Sequence, residues 1–167
     1  MGDYLKINYL RNCLKQSLDF DTKRFVLVKL GELYEGKKMF LEAGKMMMNV
    51  APINTTFQAK TNDFLKSAEL FIKAGNFDEA DIAFEKALGC CNDREKEIVK
   101  AKRMEYYRNQ AKIYFDNDKR QSAVLAFEKL LALSPPENER KEVQEKLLGL
   151  YERLGKIRDF YNLKRVM

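Results

Sequence analysis

A chain of 167 residues fits one domain, and with 46% hydrophobic and 34% charged residues it can bury a core without disulfides or metal. Only 8 Gly and 3 Pro are too few turn formers for an all-β fold, and the apolar content argues against disorder. The net charge of +6 arises from 31 Lys and Arg interspersed with 25 Asp and Glu, the pattern of solvated helix faces more than of a dedicated basic patch.

Apolar residues recur at steps of three and four along nearly the whole chain, which predicts nine helices and no strand. The first is expected from Asp3 to Ser17, with Tyr4, Ile7, Leu10 and Leu14 on one face, and Asp19 to Thr22 breaks it. The second covers Lys23 to Glu35 and the third Lys38 to Val50. A turn at Ala51 to Thr55 follows, because Pro52 disfavours helix at the residue before it. The fourth covers Thr56 to Ala74 and ends at Gly75, a residue free to take the left-handed cap conformation. Asn76 with Glu79 three residues on predicts a capping box for the fifth helix, which runs to Cys90. The sixth is long, from Asn92–Asp93 to Asp116. The seventh covers Arg120 to Leu133 and stops at Ser134-Pro135-Pro136. The eighth covers Glu137 to Leu154 with Gly155 as its cap, and a short ninth ends the sequence.

Histidine is absent, which excludes His-based triads, His-ligated zinc and a histidine pH switch. Cys13, Cys90 and Cys91 form no CxxC pair and read as reduced thiols. No glycine-rich phosphate loop is present. No metal or cofactor and no catalysis is therefore expected. The start of the sequence lacks the basic-then-apolar pattern of a secretory signal, Lys6 departs from the myristoylation motif at Gly2, and no apolar run is long enough to span a bilayer. A cytoplasmic protein without membrane insertion is expected.

The clearest internal unit is Phe64 to Leu88, where Phe64, Ala68, Phe71, Gly75, Phe77, Ala80, Phe84 and Ala87 alternate large and small. Small residues at Ala68 and Ala80 let two helices cross closely while Phe71 and Phe84 fill the flanks. This pattern resembles the tetratricopeptide repeat family, departing only at Ser67, where the family has Leu. Tyr107, Ala111, Tyr114, Ala123, Phe127, Leu130 and Pro135 repeat it, with Asp118 in place of the turn glycine. Leu27, Leu30, Gly31, Tyr34, Phe40, Ala43 and Met47 match as well, although Gly36 lies two positions early for the turn. A last unit carries Leu147, Leu148, Tyr151, Gly155 and Ile157, with Phe160 replacing the small residue. Ala43 to Ala80 is 37 residues, Ala80 to Ala123 is 43, and Ala123 to Phe160 is 37. These exceed the usual period of about 34 and resemble the longer hairpins of the soluble attachment proteins of vesicle fusion.

The resemblance implies an all-α, right-handed α-solenoid of antiparallel helix hairpins. It would be one domain over 1–167, with a capping helix at 1–22 and hairpins at 23–55, 56–92, 93–136 and 137–167. It also implies a protein-interaction adaptor whose first helices line a concave groove. By position that groove would show Glu32, Glu35, Lys66, Glu69, Lys73, Arg108, Asn109, Lys112, Glu145 and Glu152. The partner-binding residues expected are Lys66, Glu69, Lys73, Arg108, Asn109 and Lys112, between the fourth and sixth helices, with Phe115 giving apolar contact. They suit a protein or peptide partner carrying carboxylates. Val28 and Glu32 stand where one branch of the family holds the Lys and Asn of a carboxylate clamp, so the resemblance carries no clamp here. An alternative partner is RNA, on Lys96, Lys100, Lys102, Arg103, Arg108 and Lys112 with Tyr106 and Tyr107. Glu95, Glu97 and Glu105 dilute that stretch. Met46, Met47 and Met48 point three ways round a helix, so they read as core filling rather than a binding stripe.

Overall fold

A computed structural model describes residues 2–167. Helix starts follow from side chains able to take the orphan backbone donors of a first turn. The Asp19 carboxylate accepts from the Thr22 amide at 2.8 Å and from its hydroxyl at 2.6 Å, so α2 (Phe20–Gly36) begins inside the polar break, three residues earlier than expected. The Thr56 hydroxyl accepts from the Ala59 amide and starts α4 (Phe57–Lys73). The remaining helices are α1 (Asp3–Cys13), α3 (Phe40–Val50), α5 (Phe77–Gly89), α6 (Asp93–Asp116), α7 (Arg120–Ala132), α8 (Glu137–Arg153) and α9 (Ile157–Val166). The nine α-helices expected are all present, and no strand occurs among the described residues.

Three local expectations are corrected. α1 stops at Cys13 and not at Ser17. Ala51 is helical, at φ −52° and ψ −47°, and a 3-10 turn continues over Ala51–Ile53. Val50 and Ala51 are wholly buried, and that burial outweighs the bias set by Pro52. The capping box at Asn76 does not form, since Asn76 makes no side-chain cap bond. It forms instead at α6, where Asn92 Oδ1 accepts from the Glu95 amide at 3.0 Å and Glu95 Oε2 accepts from the Asn92 amide at 2.9 Å.

The helices gather into two compact units, one ending at Lys100 and one running from Ala101 to Met167. In the first, α2 packs on α1 and α3, and α4 on α3 and α5. Ile7, Val26, Leu30, Tyr34, Ala43 and Leu70 form one of its clusters, with Met46 and Met47 packed against it. Ala68, Ala80 and Phe84 are fully enclosed and Phe71 nearly so, as the large-small alternation requires. In the second unit α8 packs on α7 and α9, and the rings of Phe115 and Phe127 join α6 to α7 edge to face at 6.1 Å.

One turn recurs four times. Lys38, Gly75, Asp118 and Gly155 each take positive φ, of 58°, 76°, 52° and 65°. The next amide in each case donates 2.9 Å back to the carbonyl of an aromatic residue: Met39 to Tyr34, Asn76 to Phe71, Lys119 to Tyr114, and Lys156 to Tyr151. This is the Schellman closure of a helix end. Lys38 therefore takes the role that Gly36, inside α2, was too early to fill. A non-glycine residue in this conformation costs roughly 1–2 kcal/mol.

Candidate functional site

In the first unit the expected residues of α4 meet α2. Lys66 Nζ lies 2.8 Å from Glu35 Oε1 and 3.6 Å from Glu69, and Lys73 Nζ lies 2.6 Å from the other Glu69 oxygen. Burial pushes the Lys66 ammonium down, but the Glu35 hydrogen bond and the two carboxylate charges outweigh it and hold it above its ordinary range. Lys66, Glu69 and Lys73 thus form a zipper of alternating charge with Glu35, and their first partners are the protein's own.

In the second unit α6 faces α8. The Arg108 guanidinium holds Glu139 with both prongs of its fork, Nη2 to Oε2 at 2.9 Å and Nε to Oε1. That hydrogen bond raises the Arg108 pKa further. Lys146 binds Glu142 at 2.5 Å and holds that carboxyl below its usual range, with Lys112 adding to the effect. Between the two helices is a cleft of about 250 Å³, with Phe115, Phe127 and Val143 in its walls and three cations, Arg108, Lys112 and Lys146, set among three carboxylates, Asp116, Glu139 and Glu142. A further hollow of about 300 Å³ adjoins it over Phe115, Gly149 and Leu150, with Glu145 and Arg153 beside it. Asn109 is exposed and lines neither hollow.

The six expected site residues therefore divide, with Lys66, Glu69 and Lys73 in the first unit and Arg108, Asn109 and Lys112 in the second. Sequence reasoning missed Glu139, Glu142 and Lys146. A spacing would have found the first: Glu35 and Lys66 are 31 residues apart, and so are Arg108 and Glu139. Opposite charges at that separation join the first helices of successive hairpins. In the basic stretch, Lys96 pairs with Asp93, Lys100 with Glu97, and Tyr107 is fully buried and has no face for a base.

Cys13, Cys90 and Cys91 are free thiols, and no helix among the described residues is long and apolar enough to cross a membrane. No curated protein matches the chain. The family model for the tetratricopeptide repeat matches residues 64–91, from the core aromatic of α4 to the end of the α5 hairpin. Residues 64–91 thus form a hairpin that matches the tetratricopeptide repeat, a protein–protein interaction module.

Proposed function

We propose that the chain is a non-catalytic adaptor in the cytoplasm that binds a carboxylate-bearing segment of another protein along the faces of its first helices. On this reading residues 1–167 are one repeat domain, with a capping helix at 1–22 and hairpins at 23–55, 56–92, 93–136 and 137–167. The four identical turns support that division. The observation that carries the binding reading is the α6–α8 cleft. Its aromatic and aliphatic walls offer apolar contact, and Lys112, at an edge where Arg108 and Lys146 are already held by Glu139 and Glu142, is suited to orient an acidic group. Arg108 is committed to Glu139, so Lys112 is the better cation for a partner, with Asn109 beside it on the exposed side. Lys66, Glu69 and Lys73 form a second contact region, where an incoming carboxylate would exchange with Glu35 or Glu69.

Affinity capture with mass spectrometry identifies the partner, and its affinity is then measured at low and high salt. Lys112→Glu is expected to weaken binding roughly tenfold at low salt with unchanged helical content, because charge-led association is salt-sensitive. An unchanged affinity would move the site away from this cleft. Capture of RNA with a steep salt slope would replace the protein partner altogether.

A further inference from the structure

The four hairpins allow the protein to be compared with itself. At the spacings of 37, 43 and 37, residues 25, 62, 105 and 142 are one repeat position, the sixth residue of α2, α4 and α8 and the middle of the longer α6. All four are exposed. Three of them are Asn62, Glu105 and Glu142, the residues that water favours. The fourth is Phe25, which is 59% exposed and has the Lys29 ammonium 6.0 Å from its ring centroid. Nothing in the repeat architecture asks for an aromatic there.

Phe25 does not stand alone. Across from it on α1 is Tyr9, 62% exposed, and between them is a cleft of about 430 Å³. Its other apolar residues, Leu10 and Leu33, pack against the core cluster of Ile7, Val26 and Leu30, so the base of the cleft is fixed. Scattered exposed apolar residues are ordinary, but two exposed aromatic residues lining one cleft over a preformed apolar base suit a recognition site. Three charged residues complete the lining: Lys6, Lys29 and Glu32. Glu32 accepts from Lys29 at 2.8 Å and is thereby matched. Lys6 has Asp3 only at 3.9 Å, a loose contact, so the rim carries a surplus positive charge.

We infer that the α1–α2 cleft is a second binding site, built for a bulky aromatic side chain of a peptide with a carboxylate beside it. The ring of the ligand would lie between Tyr9 and Phe25, where offset or edge-to-face contacts add to area burial. Its carboxylate would reach Lys6. This site lies wholly in the first unit, so it stands or falls independently of the α6–α8 cleft.

The test is a titration of the isotope-labelled full chain with N-acetylphenylalanine and, separately, its uncharged amide, followed by amide NMR shifts. Both probes should move the signals of Tyr9, Phe25 and Leu33, and the anion should bind roughly three- to fivefold tighter, as expected for one surface ion pair. Phe25→Asn, which installs the residue of the next hairpin, should abolish those shifts and leave the rest of the spectrum in place. Lys6→Gln should make the two probes equal. The inference is overturned if neither probe shifts these residues, if the amide binds as well as the acid, or if Phe25→Asn titrates like the parent. It is also overturned if the probes are silent while Phe25→Asn loses binding to phosphatidylserine-containing vesicles, which would assign the patch to a lipid surface.

Discussion

The Ser67 hydroxyl donates a 2.8 Å hydrogen bond to the Gly44 carbonyl, tying α4 to α3 at a place where both residues are buried. The contact accounts for Ser67 departing from the Leu of the repeat pattern. A methyl group built on Gly44 would lie 2.8 Å from two atoms of the Phe71 ring, so this crossing has no room for a larger side chain.

Gly44→Ala should therefore destabilise the chain by about 1–3 kcal/mol, even though alanine is the better helix former. Phe71 is almost wholly buried, so its ring can shift only by moving its neighbours. Denaturant unfolding measures the loss. Pairing Gly44→Ala with Phe71→Leu should recover part of it as a coupling between contacting sites. Equal stability of Gly44→Ala and the parent would mean that the helices cross further apart.

The turn after α2 yields a pair of opposite-looking substitutions with one expected sign. Lys38 sits at φ 58°, so Lys38→Gly should raise stability by about 1 kcal/mol. Gly36 is the last residue of α2, and a methyl group added there would meet nothing within 4 Å, so Gly36→Ala should add up to about 0.5 kcal/mol. Thermal melts of the two single variants and the double variant check both values. Loss of stability in Lys38→Gly would mean that the lysine makes contacts outweighing the backbone relief.

The large-small alternation of Ala68, Phe71, Ala80 and Phe84 was legible because it is a side-chain pattern with a packing cause. The α2–α3 turn was not, because the conformation of Lys38 leaves no signature in its side chain. Asn76–Glu79 and Asn92–Glu95 have the same capping spacing, yet only the second forms a box. The amide of Asn76 already donates to the Phe71 carbonyl, so Glu79 has nothing left to accept there, whereas the amide of Asn92 is available to Glu95. The cations at 66, 73 and 108 were legible as a face. Their intramolecular partners lie on other helices, and proximity of that kind emerges only once the hairpins are stacked.

Alkaline pH should unfold the second unit preferentially. Burial, then the hydrogen bond to Glu128 at 2.7 Å, pushes the Tyr151 phenol well above its ordinary value near 10, and burial raises Tyr114 as well. A raised folded pKa means that the native state retains protons the unfolded state gives up. The associated stability is complete below pH about 10 and declines above it. Unfolding free energies between pH 8 and about 11 should fall, with a shallower slope in Tyr151→Phe. That variant should also lose about 1 kcal/mol at neutral pH for the missing bond to Glu128.

The Lys66–Glu35 pair joins α4 to α2 but remains partly open to water. A double-mutant cycle on Lys66→Met and Glu35→Gln should give a coupling of about 1 kcal/mol or less, reduced further in molar salt. A much larger, salt-resistant value would show the pair to be shielded when the chain is in solution.

The four turns share more than their closure. The residues that follow the positive-φ position, Met39, Asn76, Lys119 and Lys156, all take φ between −80° and −95° and ψ between 64° and 79°, and none uses its side chain as a cap. The bend is closed by backbone atoms, so its residues can vary in identity, at a cost only where a non-glycine takes the positive φ. Such a joint is portable. The closures after Tyr34 and after Tyr151 match in backbone geometry, even with Lys38 in one and Gly155 in the other. An array of hairpins needs a connector of this kind, one that keeps its shape while its side chains differ.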